Sequence, residues 1–395
     1  ISESSKISIG GQNFPLWKEA LISQTGGAHI DAPLLFVNKE DIAKTDIKGK
    51  AVAIAVSAEG NAQSNLISAR RYLAQQVRRF STDVFAKGAV ALVLIADPIV
   101  ETNWKLYVAY SDRGTYDIEG GANEKVTDRV PIIWLHSKAI DLVKQPGQIL
   151  TAHINIEHFQ YPSVNVVGKI EGTDAKLKQE YVLFSGHQDH DGVRNTANAD
   201  SIYNGADDNA SVSVALLAIA RAFYKQKGKR SALFVWHGAE ERGLLGSKWY
   251  AQHPTVDKSS IVAVLNGDMI GRNTPDSAAL LGSQSPHKNS NDLVNMAMEA
   301  NNEGPKFKLD TLWDKVQHPE GWYFRSDHLS YARVGIPALF YTTLLHPDYH
   351  TPLDEADRID TKKLTRVTEW MYRTGWKVAN TDARPRLVDG FKLER

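Results

Sequence analysis

The chain has 395 residues, 42% hydrophobic and 23% charged; this is enough apolar material for two domain cores, and it excludes global disorder, collagen-like repeats and coiled coil. Basic and acidic residues number 46 each, with 17 of each in the first 160 residues and 29 of each thereafter, so neither part carries the basic footprint of a nucleic-acid binder. With no cysteine, disulfides, thiolate nucleophiles and Cys-ligated zinc are excluded, and any metal must rest on His and carboxylates.

In the first part, residues 51–56 form a short apolar run after the turn Lys48-Gly49-Lys50. A helical pattern follows over 72–85, then a helix stop running into a buried strand over 86–95, and further strands over 130–135 and 150–156. A change of texture at Gln160-Tyr161-Pro162 sets the expected domain boundary, 1–160 and 161–395. Beyond it, strand-length apolar runs at 181–185, 232–236, 261–265 and 336–341 alternate with helical periodicity at 211–224, after Ser290, and at 361–380. That alternation predicts an α/β fold, a three-layer sandwich with a mostly parallel central sheet. The polar segment 282–291 reads as a surface loop. No apolar run reaches the roughly 18 residues of a membrane span. The chain begins at Ile1, which fits removal of an export segment, and the expected setting is extracellular or periplasmic.

Ligands of open α/β sheets bind beyond the carboxyl ends of the strands, where loops converge on one crevice. Each predicted strand of the second part ends in carboxylates, usually with an imidazole. The segments are Gly186-His187-Gln188-Asp189-His190, His237-Gly238-Ala239-Glu240-Glu241, Asn266-Gly267-Asp268, and 346–352 with His346 and His350. The segment 204–211, carrying Asp207-Asp208-Asn209, opens a helix. Singly, these have plainer readings: a capping or surface His, an N-cap, a solvated turn, a strand end. Capping is retained for Asp208 or Asn209. Jointly, such positions at one sheet edge point to metal. Imidazole and carboxylate suit zinc, and two metals can hold a hydroxide between them while polarising a scissile carbonyl. A carboxylate off the metals must take the proton, and adjacent Glu240-Glu241 fits one on metal and one free. Asp189 fits a carboxylate that orients the ligand His187. His190, His237, His318 and His346 receive no ligand role.

Gly-His-Gln-Asp-His, Gly-Ala-Asp-Asp-Asn-Ala-Ser, Ala-Glu-Glu-Arg-Gly-Leu-Leu-Gly-Ser, Asn-Gly-Asp-Met-Ile-Gly-Arg, Arg-Ser-Asp-His and His-Thr-Pro-Leu-Asp occur in that order. Over residues 161–380 this series resembles the di-zinc aminopeptidases of the bacterial leucyl aminopeptidase and aminopeptidase Y type, a family that also contains glutamate carboxypeptidases. The resemblance implies two zinc ions per chain, one on His187 and Asp268, the other on Glu241 and His350, with Asp207 bridging. It implies Glu240 as general base and Tyr323 as hydrogen-bond donor to the tetrahedral oxyanion, although the run Trp322-Tyr323-Phe324 equally suits packing. Gln188 departs from the Tyr or Leu common at that position, which alters the pocket wall and not the ligands. Glutaminyl cyclases share the fold but typically use one zinc.

Residues 1–160 resemble a protease-associated domain through Asp46-Ile47-Lys48-Gly49-Lys50, Ala86-Lys87-Gly88-Ala89 and Val130-Pro131-Ile132-Ile133. The implied enzyme hydrolyses the N-terminal bond of peptides with a free N-terminus, through a hydroxide bridging two zinc ions. One rival is a carboxypeptidase on the same scaffold, with Arg325 as first candidate anchor for the substrate carboxylate. Another is a non-catalytic peptide-binding relative, which has no reason to keep Glu240.

Overall fold

The computed structural model describes residues 1–24, 26–57, 69–121, 129–194 and 200–393. They belong to two compact units, residues 1–161 and a second unit from residue 162 onward.

The amino-terminal unit is built on an eight-stranded sheet. Ala28–Phe36, Ala51–Ala55, Ala91–Ile95 and Ile132–Leu135 run parallel at its centre, and antiparallel strands extend both sides. Alternate residues of the central strands feed two cores: Ala53, Val93 and Ile133 pack into one, Val52, Leu94 and Trp134 into the other. Burial on both faces is why these strands read as unbroken apolar runs. The strand Ala28–Phe36 escapes that reading because Asp31 and Pro33 interrupt it.

In the second unit, seven strands form one sheet: β1 (Val166–Ile170), β2 (Tyr181–His187), β3 (Ser231–His237), β4 (Ile261–Gly267), β5 (Ser277–Leu281), β6 (Lys308–Asp310) and β7 (Ala338–Thr342). Their order is β6-β5-β7-β4-β2-β3-β1; the β2–β3, β2–β4, β4–β7 and β5–β6 pairs are parallel, and β1–β3 and β5–β7 antiparallel. Helices cover both faces. On one, α1 (Ser211–Lys225), α3 (Asn291–Glu303) and α5 (Thr361–Asn380) pack on Val182, Phe184, Phe234 and Leu265. On the other, Tyr250 of α2 (Leu245–Gln252) and Tyr331 of α4 (His328–Arg333) pack on Leu183, Leu233 and Val264. Buried Val212, Ala215, Leu216, Ile219 and Phe223 give α1 the three- and four-residue spacing of an inward stripe. This is the expected three-layer sandwich.

A glycine brings α1 to the strand ends. A Cβ on Gly186 would lie 2.5 Å from Val212 Cγ1, so only glycine lets the helix start come this close. Segment 282–291 is not the expected surface loop. The Asp314 carboxylate accepts the N–H groups of Gly282, Ser283 and Gln284, and Asn289 Nδ2 donates to Ile336 O at 2.8 Å. Polar residues there satisfy buried backbone instead of facing water. No helix among the described residues is long and apolar enough to cross a membrane.

Candidate metal centre

His187 ends β2 with its ring fixed. Its Nδ1 lies 2.8 Å from the Asp189 carbonyl oxygen, which can only accept, so Nδ1 carries the proton and Nε2 faces the site. There Nε2 is 3.1 Å from Asp208 Oδ1, 3.5 Å from Asp268 Oδ1 and 3.9 Å from Glu240 Oε2. The Asp189 carboxylate accepts the backbone N–H groups of Glu240 at 3.0 Å and Glu241 at 3.2 Å. One residue thus orients the imidazole with its carbonyl and the Glu240-Glu241 turn with its side chain. That turn needs the help, because Ala239 sits at φ +54°.

A second cluster adjoins the first. His350 Nε2 is 3.1 Å from both Asp208 Oδ2 and Glu241 Oε1, and His190 Nδ1 is 2.8 Å from Glu241 Oε1 and 3.9 Å from Asp208 Oδ2. Asp208 belongs to both clusters, one oxygen to each. Asp354 fixes the Asp208 loop: its carboxylate accepts the N–H of Asp207 at 3.0 Å and of Asp208 at 3.0 Å. Asp354 received no role from the sequence, although the His-Thr-Pro-Leu-Asp motif contains it.

His187, Glu240, Glu241, Asp268 and His350 are therefore brought together with Asp189 behind them, and two expected site residues, Asp207 and Tyr323, are placed elsewhere. Asp207 turns away from the clusters: its Oδ1 accepts the Gly271 N–H at 2.6 Å and its Oδ2 lies 3.5 Å from His346 Nε2. Burial pushes its carboxyl up to about 7, helped by Asp354 and Asp208 and against the Gly271 hydrogen bond. Asp208, expected as a possible cap, occupies the shared position, while α1 begins without a side-chain cap. Asn209 instead donates to Gly267 O at 3.2 Å.

Tyr323 is the second residue placed outside the two clusters. Its ring stacks on His287 at 4.1 Å, its hydroxyl has no partner among the described residues, and the charges acting on it are those of Asp314 and Arg333. Tyr349 lies nearer the chemistry. Burial raises its phenol, the nearest charges being His350, Arg325, Asp208 and Glu241, and its Oη accepts from Arg325 Nη2 at 2.9 Å. Among the unassigned imidazoles, His237 is held neutral, down to about 3, by burial and the His187 charge, with Tyr331 Oη 3.0 Å from its Nε2. His318 packs on Trp313 at 4.3 Å.

The electrostatics are those of a cation trap. Burial would lower the His187 and His350 imidazoles, yet Glu240 and Asp268 around the first and Glu241 around the second raise both well above the ordinary range. Burial raises Glu240, and the Glu241, Asp268 and Asp327 carboxylates add to it against the His187 charge. A field that draws protons onto imidazoles also draws metal cations. The donor set fits them. His187 Nε2, both His190 nitrogens, Glu241 Oε1 and Asp268 Oδ1 are buried without hydrogen-bond partners among the described residues. These unpaired nitrogens and oxygens are donor atoms of zinc-ligand chemistry, and they converge on the two clusters.

A sheet edge with two imidazole–carboxylate clusters sharing one carboxylate, and an acid to spare, defines a metal-dependent hydrolase. The profile of Peptidase family M28 matches residues 165–374, more than half of the chain, and the chain belongs to that family. A probable leucine aminopeptidase of Trichophyton verrucosum (strain HKI 0517) is 25% identical over 297 residues, 71% of this chain and 72% of the relative. Aminopeptidase YwaD of Bacillus subtilis is 25% identical over 202 residues, 49% of this chain and 42% of that protein. Among solved structures, the aminopeptidase from Aneurinibacillus sp. strain AM-1 shares the fold with a TM-score of 0.58 at 20% identity, covering 100% of this chain and 84% of that one. BSAP, a zinc aminopeptidase from Bacillus subtilis, does so with a TM-score of 0.57 at 17% identity, covering 98% and 85%.

Proposed function

We propose that this M28 peptidase is a zinc-dependent aminopeptidase, with two metal ions per chain and Glu240 as general base. The observation carrying the reading is Asp208, each of whose oxygens lies 3.1 Å from an imidazole of a different cluster. His187 and Asp268 would hold one ion, Glu241 and His350 the other. When bound, zinc supplies Lewis acidity toward the scissile carbonyl and acidifies water. Burial and neighbouring carboxylates raise the proton affinity of Glu240, whose Oε2 stands 3.9 Å from His187 Nε2, farther than the Asp208 and Asp268 oxygens; it would accept a proton and return it to the leaving amine. Arg325 donates to Tyr349 Oη, which leaves the phenol proton for a developing oxyanion, the role first expected of Tyr323.

The substrate end follows from charge. Asp208, Glu240, Glu241, Asp268 and Asp327 crowd the crevice; with all five ionised they outweigh the charge of two dications, and that surplus favours an α-ammonium over a carboxylate. Arg325, the anchor a carboxypeptidase would need, is already engaged by Glu320 at 2.8 Å and by Tyr349. The name of the Trichophyton relative, a probable leucine aminopeptidase, supports the same direction. The reading includes a protease-associated role for the amino-terminal unit and an extracellular or periplasmic setting. Hydrolysis of leucine amide against its N-acetylated form tests it. The free amine should be cleaved and the acetylated form spared. Faster cleavage of N-acetyl dipeptides with free C-termini would replace this reading with the carboxypeptidase.

A further inference from the structure

We infer that His190 is a fourth protein donor at one of the two metal positions, so that the centre has a closed pole and an open one. This rests on the two-metal reading above and adds to it a division of labour. The closed pole is His190, Glu241, His350 and Asp208, whose donor atoms all lie within 4.8 Å of one another. The open pole lies in the group His187, Glu240 and Asp268, which Asp208 joins through its Oδ1 at 3.1 Å from His187 Nε2; Glu240, at 3.9 Å from that nitrogen, is kept there as the base, leaving His187, Asp268 and Asp208 as ligands.

Three observations carry this. The His190 side chain is 7% exposed, and neither ring nitrogen has a hydrogen-bond partner among the described residues, although Nδ1 is 2.8 Å from Glu241 Oε1. The donor spacings suit one small ion. Ligands about 2.0 Å from a tetrahedral zinc stand about 3.3 Å apart, and the observed separations are 2.8 and 3.9 Å from His190 Nδ1 and 3.1 Å twice from His350 Nε2. The ring is also held from behind. Gly205, at φ +64°, has no Cβ, and one placed there would lie 2.5 Å from His190 Cγ.

Four protein ligands in a tetrahedron make a holding site, whereas three with a vacant position make a working one. The vacant position then falls on the pole beside Glu240, where a proton acceptor is useful. The closed pole should bind its ion first and release it last.

Cobalt titration of the metal-free full-length chain tests this in the wild type and in His190→Gln, with His187→Gln as the comparison. In the wild type the first equivalent should give the intense visible absorption of tetrahedral cobalt and the second a weaker spectrum of higher coordination. His190→Gln should weaken the first-filled site by at least the about 10- to 100-fold that follows loss of even an indirect support of a metal ligand. His187→Gln should leave that site filled and empty the other. Equal affinities with His190→Gln unchanged, or a first equivalent without the tetrahedral spectrum, would overturn the inference and leave the two-metal reading standing. A wild-type chain that binds no metal would remove both. Should His190→Gln fail to fold, the wild-type spectrum of the first equivalent decides.

Discussion

The amino-terminal and peptidase units end their central parallel strands in opposite ways. In the amino-terminal unit, Asp97 follows the strand Ala91–Ile95, caps the next helix by accepting from Val100 N at 2.9 Å, and accepts a second hydrogen bond from Tyr72. His136 follows Ile132–Leu135, and its two nitrogens meet Glu101 Oε2 at 2.7 Å and Lys18 O at 3.1 Å. Each of these polar groups has its partner nearby. In the peptidase unit the groups in the same topological places, His187, Glu241 and Asp268, keep buried atoms unpaired and turn them toward the two adjoining clusters. A shared strand layout therefore says little about chemistry; leftover hydrogen-bonding capacity at the strand ends says much more.

The contrast can be broken at Asp208 most severely. Asp208→Asn should weaken both metal positions by more than about 100-fold and abolish hydrolysis, beyond the loss from removing an outer support of a ligand. Asp207→Asn, one residue away, should retain two ions per chain by elemental analysis. A reversed result would return the bridge to Asp207. Next comes Glu240→Gln, expected to lower kcat by about 10²- to 10⁴-fold with metal content unchanged, whereas Glu241→Gln should release an ion. Loss of metal from the Glu240 variant alone would exchange the two roles.

Smaller still is the tyrosine comparison. Tyr349→Phe should reduce kcat by roughly 10²-fold, more than it raises KM, as expected for a donor that acts in the transition state. Tyr323→Phe should leave kcat within about twofold, since its hydroxyl meets none of the donor clusters. The smallest effect belongs to the other unit. Asp97→Ala should cost about 1 kcal/mol of stability through the lost cap and leave kcat per folded molecule unchanged. Thermal denaturation and active-site titration separate the two quantities.

Much of this was legible in the sequence because burial on both faces writes itself as apolar runs. The predicted segments 181–185, 232–236 and 261–265 lie inside β2, β3 and β4, 336–341 overlaps β7, and α1 and α5 match the expected extents to within one residue. The edge strands β1 and β6, and β5 beside β6, did not announce themselves. Val166–Ile170, half exposed and broken by Gly168, has neither a continuous run nor clean alternation. At the site, the carboxylates were visible, but the choice between adjacent Asp207 and Asp208 was not. Periodicity cannot orient side chains in a turn with non-helical backbone, such as Asp208 at φ −108° and ψ 82°. Tyr349 was overlooked for a related reason: its link to Arg325 spans 24 residues and depends on how the loop after β7 folds back.

The order of the strands has a kinetic consequence. The donors come from the ends of β2, β3 and β4, from the turn before α1 and from the loop after β7, and β4 lies between β2 and β7. No single hairpin or βαβ piece contains a full cluster, since His187 and Asp268 of the first stand 81 positions apart (268 − 187) and His190 and His350 of the second 160 apart (350 − 190). Distant pairings of this kind assemble late, so the donors converge only once the sheet is nearly complete. Metal-organised peptides behave differently, the ion being what folds them. Here refolding should proceed at a rate insensitive to zinc, and zinc should slow unfolding, because its contacts are absent from the transition state. An ion seated at this sheet edge acts as a latch on a finished structure.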